Sequence, residues 1–310
     1  MYKKFVIIVV SSILISLTLF LYIVIKHKEI FMGRDYPFRQ FILDTAEKSN
    51  LNYKVVVLGD SRSEAGFIPN NIDIPSINLS MSGATPIEGY YVLKRYLKHN
   101  SIEKLILSYG PFHLASQDAY WEMTVKFQLF KEAEYIEVEQ KSEELEEDKK
   151  TLGIQRTYSD YDNPFKYAKD FISGIRLLRF MKYNKLIKEI TETRGHVYQG
   201  KNEFSNGLNQ EANQLTFRPS PLIDYYLREL VELAQKNKIK IYYFTMPFNR
   251  SSFAATSDAY KKEYTQYLGS LGVNVCTDIF SLDNKNFGDS SHIFRGASKT
   301  TKMLYKCISK

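Results

Sequence analysis

A serine hydroxyl is a poor nucleophile at neutral pH unless a neighbouring base takes its proton and a third group holds that base in the right tautomer. This chain carries those three residue types in two short segments. Gly59-Asp60-Ser61 follows the apolar run Val55-Val56-Val57-Leu58, and Asp289-Ser290-Ser291-His292 stands just before the last helical pattern. The three-residue spacing lets one loop present both an imidazole and the carboxylate that orients it. Ser61 is therefore the candidate nucleophile, His292 the base and Asp289 its partner. A third segment, Asn78-Leu79-Ser80-Met81-Ser82-Gly83, also ends a short apolar run, where backbone amides, with that of Ser61, can face a developing oxyanion. Each piece alone is common turn chemistry, so the inference rests on their conjunction.

Other polar groups are rivals or accessories. His113 is an alternative base near the same loops, but it has no carboxylate close in sequence, and a lone histidine is more often structural. His99 and His196 have less company still. Five histidines without ligand-like spacing do not suggest a metal site, and no cofactor motif is present. Arg62 and Arg295 flank the two catalytic segments and are candidates for binding an anionic acceptor, with surface ion pairs as the alternative. Asn78, Tyr109, Phe112 and His113 are further candidates for lining a substrate cleft. Tyr120 and Trp121 follow close behind, in a chain with 23 Tyr and 14% aromatic residues.

Those loops need a scaffold that brings distant segments together. The runs at Tyr53–Leu58, Ser76–Leu79, Leu105–Tyr109, Ile239–Thr245 and Val273–Cys276 read as strands, and Pro86–His99, Pro221–Lys236, Tyr260–Leu271 and Gly296–Ile308 as helices. Strands alternating with helices imply a parallel sheet covered on both faces, with ligands at its carboxyl edge. Ser61 then sits on a loop entering a helix that begins near Glu64. The interval from about 121 to 217 breaks the pattern and reads as a helical insertion. Within it, Lys131 to Lys150 has nine acidic residues against four basic, which is ordinarily a solvated helix face and alternatively a lid or docking element.

The order, spacing and strand context of Gly59-Asp60-Ser61, Asn78 to Gly83 and Asp289 to His292 resemble the SGNH, or GDSL, hydrolase family, across roughly 53–118 and 220–308. The resemblance implies a three-layer, flavodoxin-like α/β fold, Ser61 as nucleophile, the Gly83 amide as an oxyanion donor, and Asp289 with His292 as the paired catalytic residues. One block departs from the family: after the third strand, where an Asn usually serves the oxyanion hole, this chain reads Ser108-Tyr109-Gly110-Pro111-Phe112-His113. Losing such a donor costs about 2.7–4 kcal/mol of transition-state stabilisation. In this respect the chain resembles the anchored SGNH-like proteins that act beside multi-span membrane O-acyltransferases, of the alginate O-acetylation and D-alanine transfer type. A multi-span O-acyltransferase partner is what that likeness implies.

Phe5 to Ile25 is a run of 21 residues without a charge, about the length needed to span hydrocarbon, and it runs straight into Lys26-His27-Lys28 without a cleavage signature. The expected organisation is a cytoplasmic N-terminus at 1–4, a transmembrane anchor at 5–25, a linker at 26–50 that leads from Gly33 into a short helix, and an extracytoplasmic domain at 51–310. The 310 residues are 44% hydrophobic and 25% charged, with net charge +7. No basic stripe or nucleic-acid module accompanies that charge, so no nucleic-acid partner is expected, and a membrane surface or an anionic wall polymer fits it equally well. Cys276 and Cys307 are either one bridge in an oxidising compartment or two small buried hydrophobes. The expected activity is acyl transfer, of acetyl in particular, from Ser61 to hydroxyls of a cell-surface glycan or wall polymer. The alternatives are an esterase on such a polymer and a non-catalytic scaffold for an acyltransferase complex.

Overall fold

Val55, Val56, Val57 and Leu58 are all buried, so the strand they form needs apolar cover on both faces, as central parallel strands do. The computed structural model describes residues 2–26, 35–116, 124–125, 127–147, 177–200 and 206–309. In chain order it contains α1 (Tyr2–Lys26), α2 (Tyr36–Glu47), β1 (Val55–Gly59), α3 (Ser61–Gly66), β2 (Ser76–Asn78), α4 (Pro86–Tyr96), β3 (Lys104–Ser108) and α5 (Pro111–Ala115). Then come α6 (Glu132–Glu144), α7 (Leu177–Glu192), α8 (Pro221–Lys236), β4 (Lys240–Phe244), β5 (Phe248–Asn249) and α9 (Arg250–Ala255). The rest is α10 (Asp258–Gly269), β6 (Asn274–Thr277), β7 (Ser281–Leu282) and α11 (Ala297–Ile308).

The main sheet has the order β2-β1-β3-β4-β6, and every pairing is parallel. Counting only its own strands, this is the 2-1-3-4-5 order of doubly wound flavodoxin-like folds. Side chains alternate along β1. Val56 and Leu58 join the core under α4, α8 and α10, with Ile87, Tyr91, Leu227, Leu230 and Tyr264, while Val55 and Val57 join the opposite core with Phe67, Ile293, Leu304 and Ile308. The result is three layers, with α11 closing the second face.

Local chemistry sets the helix starts. Thr85 caps α4 in a reciprocal box: its hydroxyl accepts from the Ile87 amide at 3.3 Å, and Glu88 Oε2 accepts from the Thr85 amide at 2.7 Å, with Pro86 in the first turn. Ser220 and Ser257 cap α8 and α10 through their hydroxyls.

Three boundaries differ from the sequence reading. The stretch at 26–50 is more than a linker, because α2 buries Arg39, Phe41, Ile42 and Ala46 against the core, so the domain starts before 51. The helix after Gly59 begins at Ser61 itself rather than near Glu64. A second, two-stranded parallel sheet, β5 with β7, was not legible at two residues per strand. Within the helical insertion, α6 buries Tyr135 and Val138 and leaves most of its acidic residues exposed, as a solvated face would. Tyr120, Trp121 and the end of the acidic run lie outside the described residues.

Cys276 and Cys307 form a disulfide between β6 and α11, which decides between the two readings left open for them. Tyr2–Ile23 within α1 is, by length and composition, long and apolar enough to cross a membrane, at roughly 1.5 Å per residue.

Candidate active site

Strand order places the nucleophile segment. β1 and β3 are the neighbours at which the order reverses, and ligands of open α/β sheets bind beyond the carboxyl ends of such strands. Gly59 ends β1 with no room for a side chain: a Cβ there would lie 2.1 Å from the Ser108 carbonyl oxygen and 2.2 Å from Ser63 Oγ. Asp60 then caps α3, its Oδ1 accepting from the Arg62 amide at 2.8 Å, while its Oδ2 accepts from the Gly110 amide of the β3 loop at 2.6 Å. Ser61 is thus the first residue of a helix, where an amide has no intrahelical carbonyl to bond.

The loop before α11 brings its partners. His292 Nε2 lies 2.8 Å from Ser61 Oγ, and His292 Nδ1 lies 2.7 Å from Asp289 Oδ2. Asp289 Oδ1 accepts from the amides of Ser291 and His292 at 2.8 and 2.7 Å, which fixes the carboxylate before the imidazole reaches it. Nδ1–H donates to the carboxylate, so Nε2 is left to accept the serine proton. Partial burial works to raise the Asp289 pKa, but the bond and charge of His292 and the two amides outweigh it and hold the carboxyl below the ordinary aspartate range. The arrangement can deprotonate a hydroxyl, form an acyl-serine and return a proton to a leaving group.

The loop at 79–83, the candidate oxyanion segment, runs alongside. Leu79 and Met81 donate their amides to Val57 and Gly59 at 2.9 and 3.0 Å, so the loop follows the end of β1. Gly83 has φ +69°, a left-handed conformation that favours glycine, and its amide donates to no described residue. No Asn stands in the loop after β3, and the Gly110 amide there is already committed to Asp60.

Several candidates fare differently. Asn78 was a candidate substrate contact, but it is fully buried: Nδ2 donates to the carbonyls of Ser63, Glu64 and Phe67 at 2.9, 3.4 and 3.2 Å, and Oδ1 accepts from the Ser80 amide. It ties α3 to the oxyanion loop. Arg62 is also turned inward, with Nη2 2.6 Å from Glu211 Oε2 at side-chain exposures of 4% and 1%, and its guanidinium stacks 5.2 Å from Phe248. Tyr109 is buried, its backbone oxygen accepting from Tyr243. Each is withdrawn from the surface by a partner that the sequence does not announce. Phe112 is half-buried and edge-on to His113, whose Nε2 is 3.9 Å from Asp60 Oδ2. His113 therefore has a nearby carboxylate after all, but it is His292 that touches Ser61. Arg295 is exposed beside the His292 loop. His196 is buried, its Nδ1 3.2 Å from the Glu64 carbonyl, and burial pushes it down to about 4.

Residues distant in sequence join these loops. Glu211 Oε1 accepts from the Phe112 amide at 3.0 Å while Oε2 holds Arg62, and Gln210 Oε1 accepts from Ser291 Oγ at 3.2 Å and Arg62 Nη2 at 3.3 Å. Glu64 and Gln199 meet Ser82 on the other side. Nothing local in the sequence pairs positions so far apart.

The chain matches no protein-family model and no curated protein. Among solved structures it is similar to a chain from Streptococcus pneumonia provisionally named a platelet activating factor, at 14% identity over 94% of this chain and 98% of that one. The TM-score of 0.30 is too low for any site to be carried from one chain to the other.

Proposed function

We propose that this protein is a serine-dependent acyl-transfer enzyme of SGNH type, anchored by α1, that passes an acetyl group from Ser61 to hydroxyls of an extracytoplasmic glycan or wall polymer. The observation that carries the chemistry is the continuous relay Ser61 Oγ, His292 Nε2, His292 Nδ1, Asp289 Oδ2, with contacts of 2.8 and 2.7 Å. In the first step His292 takes the Ser61 proton as Oγ attacks the donor carbonyl. The tetrahedral oxyanion is met by the Ser61 and Gly83 amides, and the leaving group departs with the proton from His292. In the second step His292 deprotonates the acceptor hydroxyl, which attacks the acyl-serine and regenerates Ser61.

A membrane-anchored, extracytoplasmic placement is supported by the apolar N-terminal helix and by a disulfide, which persists in oxidising compartments. A multi-span O-acyltransferase would supply the acyl group, as the SGNH-like resemblance implies. Hydrolysis is the second reading, favoured by the exposure of the Asp289 and His292 side chains, 40% and 21%, which leaves the base open to water.

A fluorophosphonate probe on the full-length chain in detergent should label Ser61, and labelling elsewhere or not at all refutes the nucleophile. NMR of the purified surface polymer then decides direction: cells carrying Ser61→Ala lose O-acyl groups if the protein is a transferase and gain them if it is a deacylase. Protease added to intact spheroplasts should degrade the domain, and its full protection would reverse the topology.

A further inference from the structure

Glu64 is 3% exposed, one turn beyond Ser61 on the same short helix, and takes no part in the proton relay. Its Oε2 accepts from Ser82 Oγ at 2.6 Å and from Gln199 Nε2 at 2.9 Å, and Gln199 Nε2 is also 2.9 Å from Ser82 Oγ. Arg39 of α2, 1% exposed, donates through Nη2 to the Ser82 carbonyl. Ser82 is thus held by its side chain and its backbone, and the next residue is Gly83. The 196–200 segment closes the arrangement: His196 Nδ1 is 3.2 Å and the Val197 amide 3.3 Å from the Glu64 carbonyl oxygen. Gly200, at φ +78°, packs so tightly on Gly288 that a Cβ would lie 2.7 Å from its carbonyl carbon.

We propose that Glu64 is a positioning residue for the oxyanion hole: its carboxylate fixes Ser82 and so sets the Gly83 amide where the negative charge forms. The proposal rests on the acyl-transfer reading of Ser61. Two donors converge on one carboxylate oxygen, so the ionised form is the one the network holds. Burial raises Glu64 to about 7, against the Ser82 and Gln199 hydrogen bonds and the charge of Arg39, with Asp35 adding to the rise. The groups facing this cluster are Arg39, Asp35, Ser82 and Gln199, with His196 at the backbone and Glu88 acting on Arg39. A buried carboxylate titrating in this range couples the oxyanion loop to pH.

The test uses the full-length chain in detergent with p-nitrophenyl acetate, alongside the rate of fluorophosphonate reaction at Ser61. Glu64→Ala and Ser82→Ala should each lower kcat by about 10- to 100-fold with KM within about 2-fold, because a misplaced oxyanion donor is felt only in the transition state. Glu64→Gln, which keeps an oxygen to accept from Ser82 and Gln199, should recover kcat to within about 5-fold of wild type. Its kcat–pH profile should lose the ionisation that Glu64 contributes near neutral pH, a change that a merely structural role would not produce. Ser82→Ala carries the test if Glu64→Ala does not fold. A folded variant with unchanged kcat, or a loss confined to KM, overturns the proposal. Wild-type chain that does not react at Ser61 overturns the function reading and this proposal with it, whereas reactive wild type with equally reactive variants overturns this proposal alone.

Discussion

Removing Glu211 should cost far more than an ordinary polar substitution, and the structure says why. Arg62 follows Ser61 directly and has 4% of its side chain exposed; its guanidinium meets Glu211, itself 1% exposed, at 2.6 Å. Truncating one partner of a buried pair strands the other charge, typically at about 3–5 kcal/mol. Two features adjust that figure in opposite directions. Asp60 lies close enough to favour the Arg62 charge, which softens the loss, while the Phe112 amide loses its acceptor on Glu211 Oε1, adding about 1 kcal/mol. These roughly cancel, so Glu211→Ala should destabilise by about 3–5 kcal/mol. At about 2–4 °C per kcal/mol for a domain of this size, thermal unfolding followed by circular dichroism should show a drop on the order of 6–20 °C. The double variant Arg62→Met with Glu211→Leu, which removes both charges and keeps apolar volume, should lie closer to wild type than Glu211→Ala does. A Glu211→Ala midpoint within about 2 °C of wild type would mean that the pair contributes nothing, and would refute the reasoning.

The relay residues should act as a unit: Ser61→Ala and His292→Ala each remove nearly all activity, and the double variant adds little, whereas additive losses would separate their roles. Asp289→Asn should fold but turn over slowly, because the histidine tautomer is no longer fixed; near-normal kcat would show that the carboxylate is dispensable. Replacing Cys276 and Cys307 together by Ala should lower stability by about 3–4 kcal/mol, since the bridge closes a separation of 31 residues, as denaturant titration can check. The folded Asp289 carboxyl titrates below its unfolded value of about 3.9, so the stability it adds is complete above that pH and is lost as pH falls through the folded pKa. Comparing acid denaturation of wild type and Asp289→Asn would reveal this, and identical acid limbs would count against it.

The strands and helices that build the sheet were legible because periodicity is local. Val55 to Leu58 announces a strand covered on both faces, and Leu222, Tyr226 and Leu230 mark one face of α8. The Asp289–His292 contact was legible for the same reason, since three residues separate them. What was not legible depends on contacts between distant segments. Arg62 reads as a free cation beside a nucleophile until Glu211, 149 residues away, is folded onto it. Asn78 reads as a polar contact for substrate until the carbonyls of Ser63, Glu64 and Phe67, in α3 and at its end, converge on its amide. Glu64 gives no sign of its role, because Ser82 and Gln199 reach it from loops whose placement only the tertiary fold decides.

The disulfide has a consequence for when the site exists. The bridge between Cys276 and Cys307 draws a covalent ring around Asp289 and His292 and leaves Ser61 and Gly83 outside it. Ser61 and His292 therefore stand on opposite sides of this covalent closure. The ring closes only where thiols oxidise. A reductant given to the oxidised protein should therefore loosen the segment that carries Asp289 and His292 while leaving Ser61 in place.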